Sequence, residues 1–228
     1  MLTLNMLIVA AIFVLNYFYQ LDGFDFTLKC VCSGGFAILG VINLCYALIG
    51  KAECKRFYIA MALGLVLAML GDILIGYDFI VGAGTFALGH VCFVVAYCFT
   101  SKLKALDLII SAILFAGATA FLLFCPILSF DEPIFKTVCV IYALIISLML
   151  GKAAGNFIHE KSISAGIIAF ASLLFFFSDL MLVFDWFIGL WSWTDNACMG
   201  TYYPALCLLA FSMLSKIITN SKGKNTNE

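Results

Sequence analysis

FYIAMALGLVLAMLGDILIGY, residues 57–77, is a run of 21 residues in which the only charged side chain is Asp72. At 1.5 Å of rise per residue it makes a helix of about 30 Å, the thickness of a bilayer's hydrocarbon core. Runs of this length suit helices rather than barrel strands, which alternate over about ten residues. Outward from it the chain has the same character: 65% of its 228 residues are hydrophobic and 11% charged, with a mean hydropathy of +1.15. That leaves too little polar surface for a soluble globule, so the sequence describes an integral membrane protein.

Eight such segments are expected, at Leu2–Tyr19, Phe26–Gly50, Phe57–Tyr77, Phe79–Thr100, Leu108–Cys125, Ile134–Gly151, Ile163–Phe187 and Ala197–Ser215. The fold class is an all-α bundle of about eight transmembrane helices. Residues 1–218 form one polytopic domain, and 219–228, with SKGKNTNE at the end, a short polar tail expected to be cytoplasmic and disordered. The first segment carries no basic flank and no small-residue cleavage site, so it reads as a retained helix.

Ten of the twelve lysines and arginines follow the even-numbered segments: Lys51, Lys55, Arg56, Lys102, Lys104, Lys152, Lys161, Lys216, Lys222 and Lys224. The opposite loops carry Asp22, Asp25, Asp78, Asp131, Glu132 and Asp195. The positive-inside rule therefore puts both termini in the cytoplasm. Reporters fused at Ser101 or the C-terminus should behave as cytoplasmic, and a periplasmic or luminal signal from the C-terminus would overturn the eight-helix topology.

With this orientation, Asp72 lies five residues before the outer end of its segment, about 7 Å deep. Asp179, in FFFSDLMLVFDWF (175–187), lies about 7–12 Å deep. Lys29 and Tyr202 fall in the same layer, with Asn16 near it. A carboxylate in hydrocarbon costs about 2.5–3.5 kcal/mol on insertion scales and normally faces a bundle interior or wet cavity. Taken singly, each aspartate reads as an interhelical hydrogen-bonder; two in one layer with a lysine and a tyrosine read as a site. His90 lies deeper, near the midplane, and a lone histidine there more often packs than catalyses. Trp186, Trp191, Trp193, Tyr202 and Tyr203 read as an interfacial belt. Gly151-x-x-x-Gly155 has the spacing of a packing motif but falls in what reads as a basic loop.

Asp72-Ile-Leu-Ile-Gly-Tyr-Asp78-Phe and Asp179-Leu-Met-Leu-Val-Phe-Asp185-Trp echo one another four segments apart. That is the pattern of a parallel four-plus-four duplication, which would set Asp72 and Asp179 around one centre. Six residues turn a helix by about 240°, so Asp78 and Asp185 read as boundary residues outside the buried pair.

Lys29, Gly71-Asp72, the Gly82–Tyr97 run around His90, Ser178-Asp179 and the Tyr202-Tyr203 pair, taken in order, resemble the YhhN/TMEM86 family, whose members include lysoplasmalogenases. Two positions depart from its pattern: Cys30 stands where proline is expected, and Pro204-Ala205 follows the tyrosines. The resemblance implies hydrolysis of a lysoplasmalogen vinyl ether; that chemistry needs an acid and an anion, roles that Asp72 and Asp179 can divide in either order, with Lys29, His90, Ser178 and Tyr202 as binding or orienting groups. The substrate would be a lysophospholipid entering from the bilayer. No cofactor, metal or nucleic acid is called for, and two histidines cannot make a three-histidine zinc site. The competing class is a small proton-coupled permease, in which the buried aspartates carry protons.

Overall fold

The computed structural model describes residues 1–21, 25–130, 132–188 and 193–225, with side chains as far as residue 219. In order, the helices are α1 (Leu2–Leu21), α2 (Phe26–Ile49), α3 (Lys55–Leu74), α4 (Phe79–Thr100), α5 (Ala105–Phe124), α6 (Pro133–Glu160), α7 (Ile163–Ile188) and α8 (Trp193–Asn225). All eight contain a stretch long and apolar enough to cross a membrane. The chain is a multi-pass, all-helical integral membrane protein. Asp22, Asp131 and Trp191 lie outside the described residues.

The acidic connections have a local cause. Asp25 and Asp78 cap α2 and α4, accepting from Leu28 N and Val81 N, each at 2.9 Å. A carboxylate there satisfies an orphan N–H and meets the positive end of the helix dipole. α6 opens with Pro133 in its first turn, where the missing N–H costs nothing.

Helix pairings follow the four-plus-four register. α1 packs on α2 as α5 does on α6, α2 on α3 as α6 on α7, α3 on α4 as α7 on α8, and α8 on α2 as α4 on α6. The repeat breaks in two places: α1 and α3 also pack on α8, whereas among the described residues α5 approaches no helix backbone but that of α6, and α7 does not approach that of α4. Between the halves, rings of Phe36, Phe86, Phe93, Phe175 and Tyr202 meet largely edge to face, filling space that the α4 and α7 backbones leave.

Three expectations are corrected. Lys152 is not a loop residue, because α6 runs nine residues beyond Gly151 to Glu160. Its Nζ is buried, donating to Asp107 Oδ2 at 2.8 Å and Lys102 O at 2.9 Å. One turn on, Asn156 Nδ2 donates to Tyr97 O (3.1 Å) and Thr100 Oγ1 (3.0 Å), so this polar face of α6 clamps the α4–α5 connection. Gly151 and Gly155 therefore are a packing motif. A Cβ at Gly151 would strike the Ser111 hydroxyl and the Asp107 carbonyl, and one at Gly155 the Asp107 carboxylate.

Tyr202 and Tyr203 are buried and do not belong to the belt, of which Trp186 and Trp193 are exposed. Finally, α8 continues past residue 218 to Asn225, so the polar tail is helical that far.

Candidate active site

Lys29 and Ser33 are four residues apart on α2 and so share a face. Both reach Asp72 of α3. Lys29 Nζ lies 3.2 Å from Asp72 Oδ1, and Ser33 Oγ donates to Oδ2. Tyr203 Oη of α8 donates to the same oxygen at 3.4 Å. Among the described residues every partner of Asp72 is a donor, one of them an ammonium group, so the carboxyl is placed as an acceptor on both oxygens.

Asp179 of α7 has a different setting. Tyr142 Oη of α6 donates to its Oδ2 at 2.8 Å. His90 Nε2 of α4 lies 2.7 Å from the same phenol oxygen and 3.3 Å from Asp179 Oδ2. A phenol has one proton, and here it points at Asp179, so the Tyr142 oxygen accepts from His90. His90 Nδ1 faces the Met149 thioether at 3.2 Å. Among the described residues the contacts of Asp179 fall on Oδ2, and its carboxyl borders the adjoining space.

That space is double. A polar cavity of about 190 Å³ is lined by Lys29, Asp72, Asp179, Asp185 and Asp195 with the ring of Tyr202. An apolar cleft of about 420 Å³ runs between α4, α5, α6 and α7. Ile75, Phe86, Asp179 and Leu182 line both, so Asp179 stands where polar and apolar volumes meet.

The structure thus brings Asp72, Asp179 and Lys29 to one cavity and puts His90 against Asp179. Ser178 also lines the cavity, but its hydroxyl donates to Cys198 O at 3.1 Å. Tyr202 contributes its ring, while its hydroxyl donates to Ala68 O at 3.2 Å; the neighbouring Tyr203 reaches Asp72 instead. Asn16 stays outside, joining α1 to α8 through Met199 O at 3.4 Å. The two boundary aspartates part company: Asp78 caps α4, whereas α7 carries on through Asp185, which is half-buried on the cavity wall.

Sequence reading missed Tyr142, Ser33 and the part played by Tyr203. Signals existed: a phenol nine residues into an apolar helix needs a partner, and Ser33 lies one turn from Lys29.

Neither the curated proteins nor the solved structures offer a match to this chain. The model of the YhhN family matches residues 33–213, which include both aspartates, His90, Tyr142 and Tyr203 and leave out only Lys29 of the groups around them. With most of its length matched, the chain belongs to the YhhN family.

Proposed function

We propose that this protein hydrolyses the vinyl-ether bond of a lysoplasmalogen, releasing a fatty aldehyde and a glycerophospho-base. The observation that carries this reading is the position of Asp179, on the border of an apolar cleft and a polar cavity whose other wall holds Asp72. An amphiphile cut next to its headgroup needs its reactive bond at such a border.

Vinyl ethers hydrolyse by protonation of the β-carbon, which gives an oxocarbenium ion that water captures. Asp72, which meets the donors of Lys29, Ser33 and Tyr203, is the group to act as the carboxylate that stabilises that cation and takes a proton from the attacking water. Among the described residues no lysine or arginine pairs with Asp179 and its contacts fall on Oδ2, so it is the group to deliver the first proton. The resulting hemiacetal collapses when Asp179 takes its hydroxyl proton and Asp72 returns its own to the leaving oxygen. Both carboxyls are then reset, and one water has been consumed. Two carboxyl groups divide the work in this way around the oxocarbenium-like state of glycosidases.

Purified protein incubated with a lysoplasmenyl lipid should release aldehyde and leave the saturated alkyl-ether lysolipid intact. No aldehyde from the vinyl ether would overturn the reading.

His90 and Tyr142 act here through Asp179. Tyr142→Phe removes one oxygen from the chain that joins His90 to Asp179. Hydrogen bonds to charged groups are worth about 1.5–3 kcal/mol, so kcat should fall by about one to two orders of magnitude with little change in KM. His90→Gln should fall in the same direction, and Tyr142→Phe/His90→Gln should be less than additive. Unchanged kcat in folded single variants would return both residues to packing roles.

A further inference from the structure

The apolar cleft exists because α5 is splayed. In the register of the two halves, α5 corresponds to α1, and α1 closes onto α8. α5 is instead tied down at its two ends. At one, Asp107 and Ser111 sit against Gly151 and Gly155 of α6. At the other, the Phe121 ring meets Phe184 of α7, with centroids 5.2 Å apart. Between these ties lies Gly117. It lines the cleft, and a Cβ built there meets nothing within 4 Å. Nearby Ile113, also on the lining, is 68% exposed, so the cleft opens outward along α5 where the bilayer's hydrocarbon would lie.

We propose that this cleft seats the single hydrocarbon chain of the substrate, which enters sideways past α5, and that Gly117 keeps the seat open. The inference rests on the hydrolase reading above and adds to it the place and class of the ligand. The occupant is fixed by continuity. The cleft does not end blindly but meets the polar cavity at Ile75, Phe86, Asp179 and Leu182. A chain lying against Ile113, Ile146 and Ala83 would have its head at Asp179, with the phosphate on the side of Lys29. Among the described residues the polar side chains on the lining, besides the Cys139 thiol, are Tyr142 and Asp179, at the reacting end.

The seat gains little from the hydrophobic effect, since the chain comes from lipid tails as apolar as the wall. What it supplies is alignment: a chain held along α5 and α6 delivers its alkenyl carbon to Asp179 in one orientation. Filling the seat should therefore reduce kcat/KM, most for long chains.

Gly117→Trp tests this, because the site has room for a side chain and glycine within a helix is itself unfavourable, so the variant should fold. Its kcat/KM for a long-chain lysoplasmenyl lipid should drop by about tenfold or more, a loss that shrinks as the chain is shortened. Gly84→Trp, at an equally open glycine that lines neither space, should behave as wild type. Gly117→Leu gives a smaller plug should the tryptophan disturb folding, with a proportionately smaller loss expected.

A readout without turnover separates the two proposals. A non-cleavable alkyl-ether lysolipid with a photoreactive group at the end of its chain should label α5 and α6 peptides around Ile113 and Ile146, and Gly117→Trp should abolish the labelling. Such labelling without cleavage of the vinyl ether keeps the seat and overturns the reaction. Cleavage unaffected by Gly117→Trp, with labelling scattered over the lipid-facing helices, keeps the reaction and overturns the seat.

Discussion

Asp72→Asn and Asp179→Asn are each expected to reduce vinyl-ether cleavage by about 10²-fold or more, the scale of a general acid or base, in protein that still folds and inserts. Asparagine matches aspartate in size and still accepts from Ser33 and Tyr203 in one variant and from Tyr142 in the other. Asp72→Asn does leave Lys29 without its partner. That ammonium is 11% exposed in its side chain and lies in the first turn of α2, from which it can reach the interface. The double variant should be little worse than the poorer single one, because groups that act as a unit are strongly non-additive. Aldehyde release at saturating substrate, with a melting curve for each variant, checks this. Near wild-type turnover in either well-folded single variant would refute the paired-carboxylate mechanism, and the aspartates would revert to structural hydrogen-bonders.

A comparable effect on stability is expected at the other end of the bundle. Lys152 and Asp107 form an ion pair in which both side chains are 1% exposed. Asp107 Oδ2 also accepts from Lys104 N at 3.0 Å, while its Oδ1 is buried without a hydrogen bond. Lys152→Met leaves that carboxylate desolvated beside Gly155 with no counter-charge, and breaking a buried pair in this way costs about 3–5 kcal/mol. Replacing both members with apolar residues, as in Lys152→Met/Asp107→Leu, removes the charge as well as its partner and should recover most of the loss. Thermal unfolding in detergent should show the single variant well below the double. If instead the two fall together, the pair contributes no more than its separate side chains, and the attachment of α5 to α6 rests on Gly151 and Gly155 alone.

Much of the architecture was legible because hydropathy is a local property. Whether Phe57–Tyr77 crosses hydrocarbon depends on those residues and the bilayer thickness, and the same holds for the other seven helices. The value of Asp72, Asp179 and Lys29 was legible for the same reason. A charge in hydrocarbon is costly whatever surrounds it, so its presence alone marks a place where the fold must answer it. The repeat between Asp72–Phe79 and Asp179–Trp186 carried a further step, since related positions in two parallel halves converge on one centre, and both aspartates do line one cavity.

What depth and composition could not supply is direction around the helix axis and the identity of the neighbour. Tyr142 looked like one more aromatic in an apolar helix until α6 packed on α4 and α7 and turned its hydroxyl between His90 and Asp179. Tyr202 and Tyr203 differ by 100° around α8, and that rotation alone sends one hydroxyl to Ala68 and the other to Asp72. Lys152 read as the start of a loop because a lysine normally ends an apolar run; only with Asp107 seated on Gly155 does the helix carry it inward. The sequence by itself determined the spans and which charges need a buried partner, because burial in a bilayer is set by each segment's own composition. The tertiary structure alone decided which side chains meet and where α5 leaves an open cleft, because those depend on the rotation and tilt of helices whose lipid-facing surfaces are chemically alike.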